Sequence, residues 1–272
     1  GSIDAMKYLL KYDMVYGQSD ITLDGVKMIS EKDPTKLPWK DLDIDVVVES
    51  TGLYTATDKA QVHIDAGAKR VVITAPIKDD ASPTVLLAMN EDKLKDCKIS
   101  SNASCTTNAA NPLITILDEV IGVEKALLNT VHAYTGTQAL VDGPSKKDLR
   151  EGRAAAQNIV PSSTGAAVAI TKVVPHLTGK FDGISIRVPV PVGSIVDVTF
   201  VAKRDTTAEE VNEILKKAAK DPRWKGIFTV TEEDLVSSDI VGNPHASIAD
   251  LAFTRVVGGN LVKVLGWYDN EM

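Results

Sequence analysis

Cysteine is scarce in this chain: of 272 residues, only Cys97 and Cys105 carry a thiol. Two cysteines are too few for a disulfide scaffold and are typical of a protein in a reducing compartment. Long apolar runs are also missing, since no stretch approaches the length of a membrane span and no signal peptide opens the sequence. We therefore expect a cytoplasmic protein without a membrane partner.

Positive charge is limited as well. The chain has 30 basic and 37 acidic residues, a net charge of −7, and its longest basic cluster is Lys146-Lys147. This balance argues against a nucleic-acid partner, whereas a phosphorylated metabolite needs only a few local donors. Neither a C-x-x-C nor an H-E-x-x-H pattern occurs, so we predict no metal site. The length is sufficient for two domains, each with its own core.

The first hundred residues alternate between strand and helix patterns. We predict helices at residues 3–12 and 57–66, and strands at residues 26–30, 44–49 and 70–74. Strands that alternate with helices over short connections predict an α/β fold with a Rossmann-type, doubly wound parallel sheet. Ligands bind at the carboxyl ends of such strands, which makes Ser50, Thr51, Gly52 and Thr74 candidate binding residues.

The pattern changes after Cys105. Alternating strands are predicted at residues 183–188 and 194–202, and helices at residues 166–176 and 207–219. This mixture predicts an α+β domain whose mixed, largely antiparallel sheet is covered on one face. Between these elements, residues 136–161 form a long, glycine-containing loop of the kind that usually carries function.

Cys105 lies in the run Ser-Cys-Thr-Thr-Asn, just before an amphipathic helical pattern that ends at Gly122. Free N–H groups and the positive dipole at a helix N-terminus lower the pKa of a thiol and make it a usable nucleophile. Because Pro112 lacks an N–H group, we expect a kink or a helix start somewhat after Cys105. The alternative is a buried, inert cysteine.

Three further positions are candidates for chemistry. His132 follows a predicted strand at residues 126–131 and could accept the thiol proton, or it could be a structural histidine. Thr164 and Gly165 precede a helix, where they could bind an anion or simply cap the helix. Arg187 lies in an apolar strand and needs a partner, either a phosphate or an internal carboxylate.

These residues belong to a series of motifs that occur in a fixed order. The series is Ser-Cys-Thr-Thr-Asn at 104–108, Thr-Val-His-Ala-Tyr-Thr at 130–135, Asp-Gly-Pro-Ser at 142–145, Gln-Asn-Ile-Val-Pro at 157–161, Ser-Thr-Gly-Ala-Ala at 163–167, Arg-Val-Pro at 187–189 and Trp-Tyr-Asp-Asn-Glu at 267–271. Over residues 8–272 the chain resembles the phosphorylating glyceraldehyde-3-phosphate dehydrogenases.

The resemblance implies an oxidoreductase of glycolysis. Cys105 would attack the aldehyde of glyceraldehyde 3-phosphate with His132 as base, and hydride transfer to NAD would leave a thioester. Inorganic phosphate would then release an acyl phosphate. Two anion sites follow by the same resemblance. Thr135 and Arg187 would bind the substrate phosphate, and the attacking phosphate would be bound by Ser104, Thr106, Thr164 and Gly165.

The resemblance also implies cofactor contacts and an assembly. Asn270 would hold the nicotinamide amide, Thr74 would contact the ribose, and Lys32 lies in the adenine-side loop where arginine is usual. Ser50, Thr51 and Gly52 belong to the same binding edge. NADP is not excluded, because the acidic residue that would distinguish it from NAD is absent. The family further implies a homotetramer.

The chain departs from the family in several places. It has no G-x-G-x-x-G pattern, so a first βαβ portion of roughly 30 residues is absent. A hairpin near residue 19 and a final helix after residue 272 are absent too, and we expect a complete protein to contain them. The domains are predicted as an incomplete NAD-binding domain at 1–104, a catalytic domain at 105–268, and a return to the cofactor domain at 269–272.

Two other functions stay open at this point. One is an erythrose-4-phosphate dehydrogenase, although the runs at residues 134–138 and 163–167 favour the triose enzyme. The other is a cofactor-deficient, non-catalytic paralogue, which would keep the Cys–His pair but bind no nicotinamide.

Overall fold

The computed structural model describes residues 2–145 and 148–272, so the Lys146-Lys147 cluster lies outside the described residues. The chain divides into two compact units. The first contains the residues up to Pro83 together with Asp96–Ser101, and the second contains Thr84–Lys95 and Asn102–Met272. The segment Thr84–Lys95 therefore packs with the second unit, whereas the predicted domain boundary placed it in the first domain.

The first unit is built around a three-stranded parallel sheet in the order β3-β4-β5. Its elements are α1 (Ile3–Lys11), β1 (Tyr12–Asp13), β2 (Gly17–Gln18), β3 (Val46–Glu49), α2 (Thr57–Asp65), β4 (Arg70–Ile73) and β5 (Ile99–Ser101). The helix α2 connects the parallel strands β3 and β4, which confirms the predicted βαβ arrangement.

One predicted strand of this unit is wrong. Residues 26–30 have no regular structure, and Val26 and Ile29 are exposed. A strand needs a neighbour to satisfy its backbone N–H and C=O groups, and no described strand pairs with this segment. Its apolar residues therefore do not become part of the small core, which forms instead around Val71, Ile73 and Ile99.

The second unit contains a seven-stranded sheet in the order β10-β11-β12-β9-β6-β8-β7. Its elements are α3 (Cys105–Ile121), β6 (Val123–Ala133), β7 (Val160–Ser163), α4 (Ala166–Thr171), β8 (Phe181–Val188), β9 (Ser194–Ala202), α5 (Ala208–Ala219), β10 (Phe228–Thr231), β11 (Ser247–Val257) and β12 (Leu261–Tyr268). Only β10–β11 and β6–β8 pair in parallel, so the sheet is mixed and largely antiparallel, as predicted.

The core of this unit lies on one face of the sheet. Along β9, buried residues such as Val196, Val198 and Phe200 alternate with half-buried ones, and the buried set packs with Leu113 and Leu117 of α3. Helix α5 packs on the same core. The opposite face, which we call the outer face, presents exposed apolar side chains such as Leu127 on β6, Ile184 on β8 and Leu261 on β12.

The helix α3 begins at Cys105 itself, so the later start that Pro112 suggested is wrong. Ser104 caps the helix, since its hydroxyl oxygen accepts a hydrogen bond from the Thr107 N–H at 3.1 Å. Gly122 ends the helix with φ at +71°, a value that favours glycine. Pro112 costs the helix one internal hydrogen bond, and burial of most of its side chains outweighs that cost.

Other boundaries shift by a few residues. Helix α4 ends at Thr171, and a separate 3-10 turn, Pro175–Leu177, follows it because Pro175 cannot donate to a continuing helix. The loop predicted at residues 136–161 contains the 3-10 turn Leu149–Gly152 and gives way to β7 at Val160. Among the described residues, no helix has both the length and the apolar character needed to cross a membrane.

Candidate active site

The thiol of Cys105 faces the imidazole of His132. Cys105 is the first residue of α3, and its Sγ lies 3.5 Å from Nε2 of His132. His132 is the second-to-last residue of β6 rather than a residue after the strand, which corrects the predicted position. His132 is only 4% exposed, so the ring nitrogen that faces the thiol is shielded from bulk water.

Arg187 reaches the other nitrogen of the same ring. The strands β6 and β8 are parallel neighbours, and their register pairs His132 with Arg187. The Nη1 atom of Arg187 lies 2.6 Å from Nδ1 of His132 and 3.2 Å from the backbone oxygen of Ala133. No carboxylate among the described residues forms an ion pair with Arg187. The structure therefore does not contain the internal ion pair that was one of the two alternatives for this arginine.

Burial decides the charge state of the pair. Burial, followed by the positive charge of Arg187, lowers the pKa of His132 to about 4. Burial also raises the pKa of the Cys105 thiol, although hydrogen bonds from Thr106 and the charge of Arg187 oppose this. The lowered thiol pKa expected from the helix N-terminus is thus wrong for this state. Both directions favour a neutral thiol and a neutral imidazole over the ion pair.

Sequence reasoning missed Tyr268, which links the two elements of the pair. Its buried hydroxyl lies 2.9 Å from Oγ1 of Thr106 on α3 and 2.9 Å from Oγ1 of Thr130 on β6. Its ring packs edge-on against His132, with ring centres 5.9 Å apart. Strand periodicity places Thr130 on the same face as His132, two residues before it, but no local pattern links either residue to Tyr268.

The predicted site for the attacking phosphate lies at the starts of two neighbouring helices, α3 and α4. The Ser104 hydroxyl already accepts the Thr107 N–H, and the Thr106 hydroxyl bonds to Tyr268. Thr164 accepts the N–H of Ala166 at 3.2 Å, and Gly165 is the exposed residue before α4. The capping alternative for Thr164 thus describes a contact that the structure contains.

The predicted site for the substrate phosphate lies at one edge of the sheet. Thr135 follows β6 by two residues, and Arg187 lies near the carboxyl end of the parallel strand β8. The hydroxyl of Thr135 is 3.2 Å from that of Thr137. Carboxyl ends of parallel neighbours meet at the same sheet edge, so both predicted residues lie beside His132.

Asn270 is tied to the same end of β6 through Ser194, another residue that sequence reasoning missed. The Oδ1 atom of Asn270 accepts hydrogen bonds from the Ser194 hydroxyl at 2.9 Å and from the Gly193 N–H at 3.1 Å. The Ser194 hydroxyl oxygen accepts the N–H of Ala133 at 3.1 Å. Because Oδ1 is used in this way, the amide NH₂ of Asn270 is the group that remains for a ligand.

In the first unit, the predicted cofactor residues follow β3 and β4. The backbone N–H of Thr51 and its hydroxyl both donate to the buried carboxylate of Glu49, the N–H at 2.8 Å. The N–H of Thr74 donates to the backbone oxygen of Glu49 at 3.0 Å. Ser50 and Gly52 are exposed on either side of Thr51. Lys32 lies in an exposed, irregular segment of the same unit.

A buried histidine also forms a hydrogen bond to the carboxylate of Glu49. The Nε2 atom of His63 lies 2.9 Å from the Glu49 carboxylate, and the indole N–H of Trp39 donates to Nδ1 of His63 at 3.2 Å. Since Nδ1 is an acceptor, Nε2 carries the proton and donates to Glu49. This network fixes the turn at Thr51, and Gly52 adds an open backbone surface with φ at +73° and no atom near its missing side chain.

Thr51 and Thr74 follow the carboxyl ends of the parallel strands, the edge at which such sheets bind ligands, and the N–H groups of both residues are engaged by Glu49. The residues of the described chain contain no group of three or more His, Cys, Asp or Glu side chains suited to a metal ion.

Comparison with known proteins identifies two domains. The family model described as the C-terminal domain of glyceraldehyde 3-phosphate dehydrogenase matches residues 104–270, and the model of the NAD-binding domain of the same enzyme matches residues 1–57. The chain is 47% identical to glyceraldehyde-3-phosphate dehydrogenase B of Aspergillus oryzae, an alignment that covers 97% of this chain and 81% of that enzyme.

Bacterial enzymes are similar to the same degree. The chain is 46% identical to glyceraldehyde-3-phosphate dehydrogenase of Streptomyces coelicolor, over 100% of this chain and 84% of that enzyme. It is 48% identical to the enzyme of the same name from Borreliella burgdorferi, over 98% of this chain and 84% of that enzyme. Matches that span nearly the whole chain include every element of the site described above.

Proposed function

The chain belongs to the glyceraldehyde-3-phosphate dehydrogenase family and uses NAD as its cofactor, and we propose that it oxidises glyceraldehyde 3-phosphate through a thioester on Cys105. The observation that carries this proposal is the 3.5 Å contact between the Cys105 thiol and the buried ring of His132. A thiol beside a shielded base is the arrangement that covalent catalysis at an aldehyde requires.

The reaction begins with proton transfer from Cys105 to Nε2 of His132. The sulfur then forms a bond to the aldehyde carbon, and the imidazolium of His132 gives its proton to the carbonyl oxygen, which yields a hemithioacetal and a neutral His132. NAD, when bound, supplies the acceptor for the hydride that leaves this carbon. His132 removes the hydroxyl proton as the hydride departs, so that the product is a thioester.

Inorganic phosphate completes the reaction. A phosphate oxygen attacks the thioester carbon, the carbon–sulfur bond breaks, and Cys105 leaves as a thiolate while the acyl phosphate forms. We assign the attacking phosphate to Ser104, Thr106, Thr164 and Gly165, which lie at the starts of α3 and α4, two helices that contact each other. For the Ser104 and Thr106 hydroxyls to bind it, they must exchange their present internal partners.

Arg187 and Thr135 form the proposed site for the substrate phosphate. A guanidinium without a carboxylate partner among the described residues retains donors for a phosphate, and Thr135 adds a hydroxyl at the same sheet edge. On the cofactor side, the amide NH₂ of Asn270 would donate to the carboxamide oxygen of the nicotinamide. The residues proposed to contact the rest of the dinucleotide are Ser50, Thr51, Gly52, Thr74 and Lys32.

The proposed assembly is a homotetramer in the cytoplasm. The outer face of the seven-stranded sheet supports self-association, because Leu127, Ile184 and Leu261 are exposed there. On the same face, Asn129 and Asp197 each have a side-chain oxygen that is shielded from solvent without a hydrogen-bond partner among the described residues. Donors from a second copy would satisfy these oxygens while its apolar side chains cover the face.

The thioester tests the proposal directly. Purified protein is mixed with glyceraldehyde 3-phosphate and NAD in the absence of phosphate, and intact-protein mass spectrometry should detect one acyl group per chain. Fragmentation should locate it on Cys105, and Cys105→Ser should yield neither acyl-protein nor NADH absorbance. Acylation elsewhere, or NADH formation by the variant, would refute the role of Cys105. A failure of the wild-type chain to form NADH would favour a non-catalytic paralogue.

A further inference from the structure

A strained residue lies in the short turn that leads into the nucleophile. Strand β5 ends at Ser101 and α3 begins at Cys105, so three residues, 102–104, connect them, and we call these the entry turn. The middle residue, Ala103, has φ at +58°. Glycine adopts this left-handed conformation freely, whereas an alanine side chain comes too close to the backbone there. Strained residues of this kind persist only where the surrounding structure holds them.

Burial accounts for the alanine at this position. Ala103 is only 2% exposed and lies in a buried apolar cluster with Leu86 and with Ala169 of α4. Glycine would remove the strain, but it would also lose the methyl group that fills part of this cluster. The backbone conformation of Ala103 depends, in addition, on what holds the peptide groups on either side of it.

The side chain of Asn108 holds both of those peptide groups. Its amide NH₂ donates to the backbone oxygen of Asn102 at 2.9 Å and to that of Ser104 at 3.0 Å. These two residues flank Ala103, so one planar amide sets the positions of both carbonyl groups. Asn108 lies in the first turn of α3, and its backbone N–H also donates to the Ser104 oxygen, at 2.9 Å. The entry turn and the first turn of the helix are thus joined.

The conformation of the entry turn decides where α3 begins. With Ala103 left-handed, Ser104 is extended and caps the helix, so that Cys105 becomes its first residue. If Ala103 relaxed to an ordinary conformation, the chain would enter α3 in another direction. The Sγ atom of Cys105 would then leave its position 3.5 Å from Nε2 of His132. A displacement of about 1 Å can cost a reaction about 10²-fold.

We propose that Asn108 is a positioning residue for the nucleophile: its two hydrogen bonds hold Ala103 in the strained conformation that places Cys105 opposite His132. The inference rests on the proposed function in one respect, since it takes Cys105 to be the nucleophile. It adds that Asn108 acts on the reaction through the backbone of the entry turn.

Thiol alkylation of the ligand-free protein measures the position of Cys105 without any turnover. Iodoacetamide is added at neutral pH, and peptide mass spectrometry follows Cys105 and Cys97 in the same sample. Asn108→Ala should lower the alkylation rate of Cys105 by about tenfold or more, because a displaced thiol loses part of the general-base help of about 10²–10⁴-fold. The rate at Cys97 should equal that of wild type. An unchanged rate at Cys105 in folded Asn108→Ala would overturn the proposal.

A double-mutant cycle with Ala103→Gly tests the strain itself. Glycine adopts positive φ about as readily as negative φ, so Ala103→Gly alone should change the Cys105 rate by no more than about twofold. In the Ala103→Gly background, Asn108→Ala should lower the rate by no more than about threefold, because the entry turn is no longer held against strain. Equal losses in the two backgrounds would refute the proposal.

The same cycle covers a variant that does not fold, which circular dichroism detects. If Asn108→Ala unfolds and the double variant folds, the strain at Ala103 is the reason, and the proposal is supported. If both unfold, Asn108 is required by the fold as a whole, and the proposal is overturned.

Steady-state kinetics separate positioning from substrate binding. Asn108→Ala should lower kcat for glyceraldehyde 3-phosphate and leave KM within about twofold, because the proposed substrate-phosphate site lies at the ends of β6 and β8 rather than on α3. A raised KM with an unchanged kcat would contradict a positioning role.

The matched control is Asn212→Ala. Asn212 is an asparagine of α5 whose side-chain amide also donates to a backbone oxygen, that of Leu251 at 3.0 Å. Its replacement should leave Cys105 alkylation unchanged, and a loss as large as that of Asn108→Ala would refute a specific role for Asn108. The proposed function fails separately: the expected alkylation pattern without NADH formation refutes only the dehydrogenase activity, and NADH formation with equal losses in the cycle refutes only the role of Asn108.

Discussion

Replacement of Tyr268 by phenylalanine should destabilise the second unit while the edge-on ring contact with His132 remains. The three hydroxyls form a directed chain, because each has one proton to donate. Thr130 donates to the backbone oxygen of Ile195 at 3.3 Å. Tyr268 must then donate to Thr130, and Thr106 must donate to Tyr268, both at 2.9 Å.

The loss follows from this chain. Without the Tyr268 hydroxyl, the buried Thr130 oxygen loses its donor, and the Thr106 hydroxyl keeps only the Cys105 thiol as a partner. One buried, unpaired polar group costs about 1–3 kcal/mol, so we expect the free energy of unfolding to fall by about 2 kcal/mol. Urea unfolding at one fixed protein concentration measures it. Tyr268→Ala should cost more, about 3–5 kcal/mol, because it also leaves a cavity.

A double-mutant cycle separates the hydrogen bond from other effects. Thr106→Val removes the other hydroxyl of the Thr106–Tyr268 hydrogen bond, so the double variant should be more stable than the sum of the two single losses predicts. Additive losses would refute the directed chain. An unfolding free energy of Tyr268→Phe within about 0.5 kcal/mol of wild type would refute it as well, since that is the range of changes without structural consequence.

Three other predictions concern separate parts of the chain. The pKa of His132 in the folded chain is about 4, below its ordinary 6.5, so between these values the unfolded chain binds a proton that the folded chain does not bind. The free energy of unfolding should therefore fall by about 3 kcal/mol between pH 7 and pH 4. For His132→Gln, the free energy of unfolding should fall by less over the same pH range. Glu49→Gln should lower the free energy of unfolding by about 1–3 kcal/mol and weaken NAD binding. The carboxylate accepts from three donors, one of them His63, and the NH₂ group of glutamine cannot accept. Leu127→Asp on the outer face should dissociate the assembly in sedimentation experiments.

Each of these has a matched control. For the acid dependence, His132→Gln is itself the control, because it removes only the group to which the loss is assigned. For Glu49, the exposed Glu124→Gln should change neither stability nor NAD affinity. For the assembly, Val236→Asp replaces an exposed apolar residue away from the sheet, and its sedimentation should match wild type. Dissociation by Val236→Asp would remove the outer face as the explanation.

Local patterns were sufficient to predict most elements, and they singled out Cys105 and His132, whose Sγ and Nε2 atoms the fold brings to 3.5 Å. The strict alternation along residues 194–202 predicted β9 with its observed ends, because period-two patterns follow directly from strand geometry. The βαβ arrangement around α2 and the helix that starts near Cys105 were equally visible in short windows of sequence. The predicted strand at residues 26–30 failed because a strand depends on a neighbour that local sequence does not contain.

The contacts that set the chemistry were decided by tertiary structure alone. Arg187 meets His132 only because the register of β6 and β8 pairs residues 55 positions apart. Tyr268 contacts Thr106, which is 162 positions away in the sequence, because the fold packs α3 against the sheet. The direction of the Cys105 pKa also depended on the fold. The residues next to Cys105 in the sequence predicted a helix N-terminus with N–H donors that favour the thiolate. Burial, which only the packed chain determines, removes the water that would stabilise the thiolate charge.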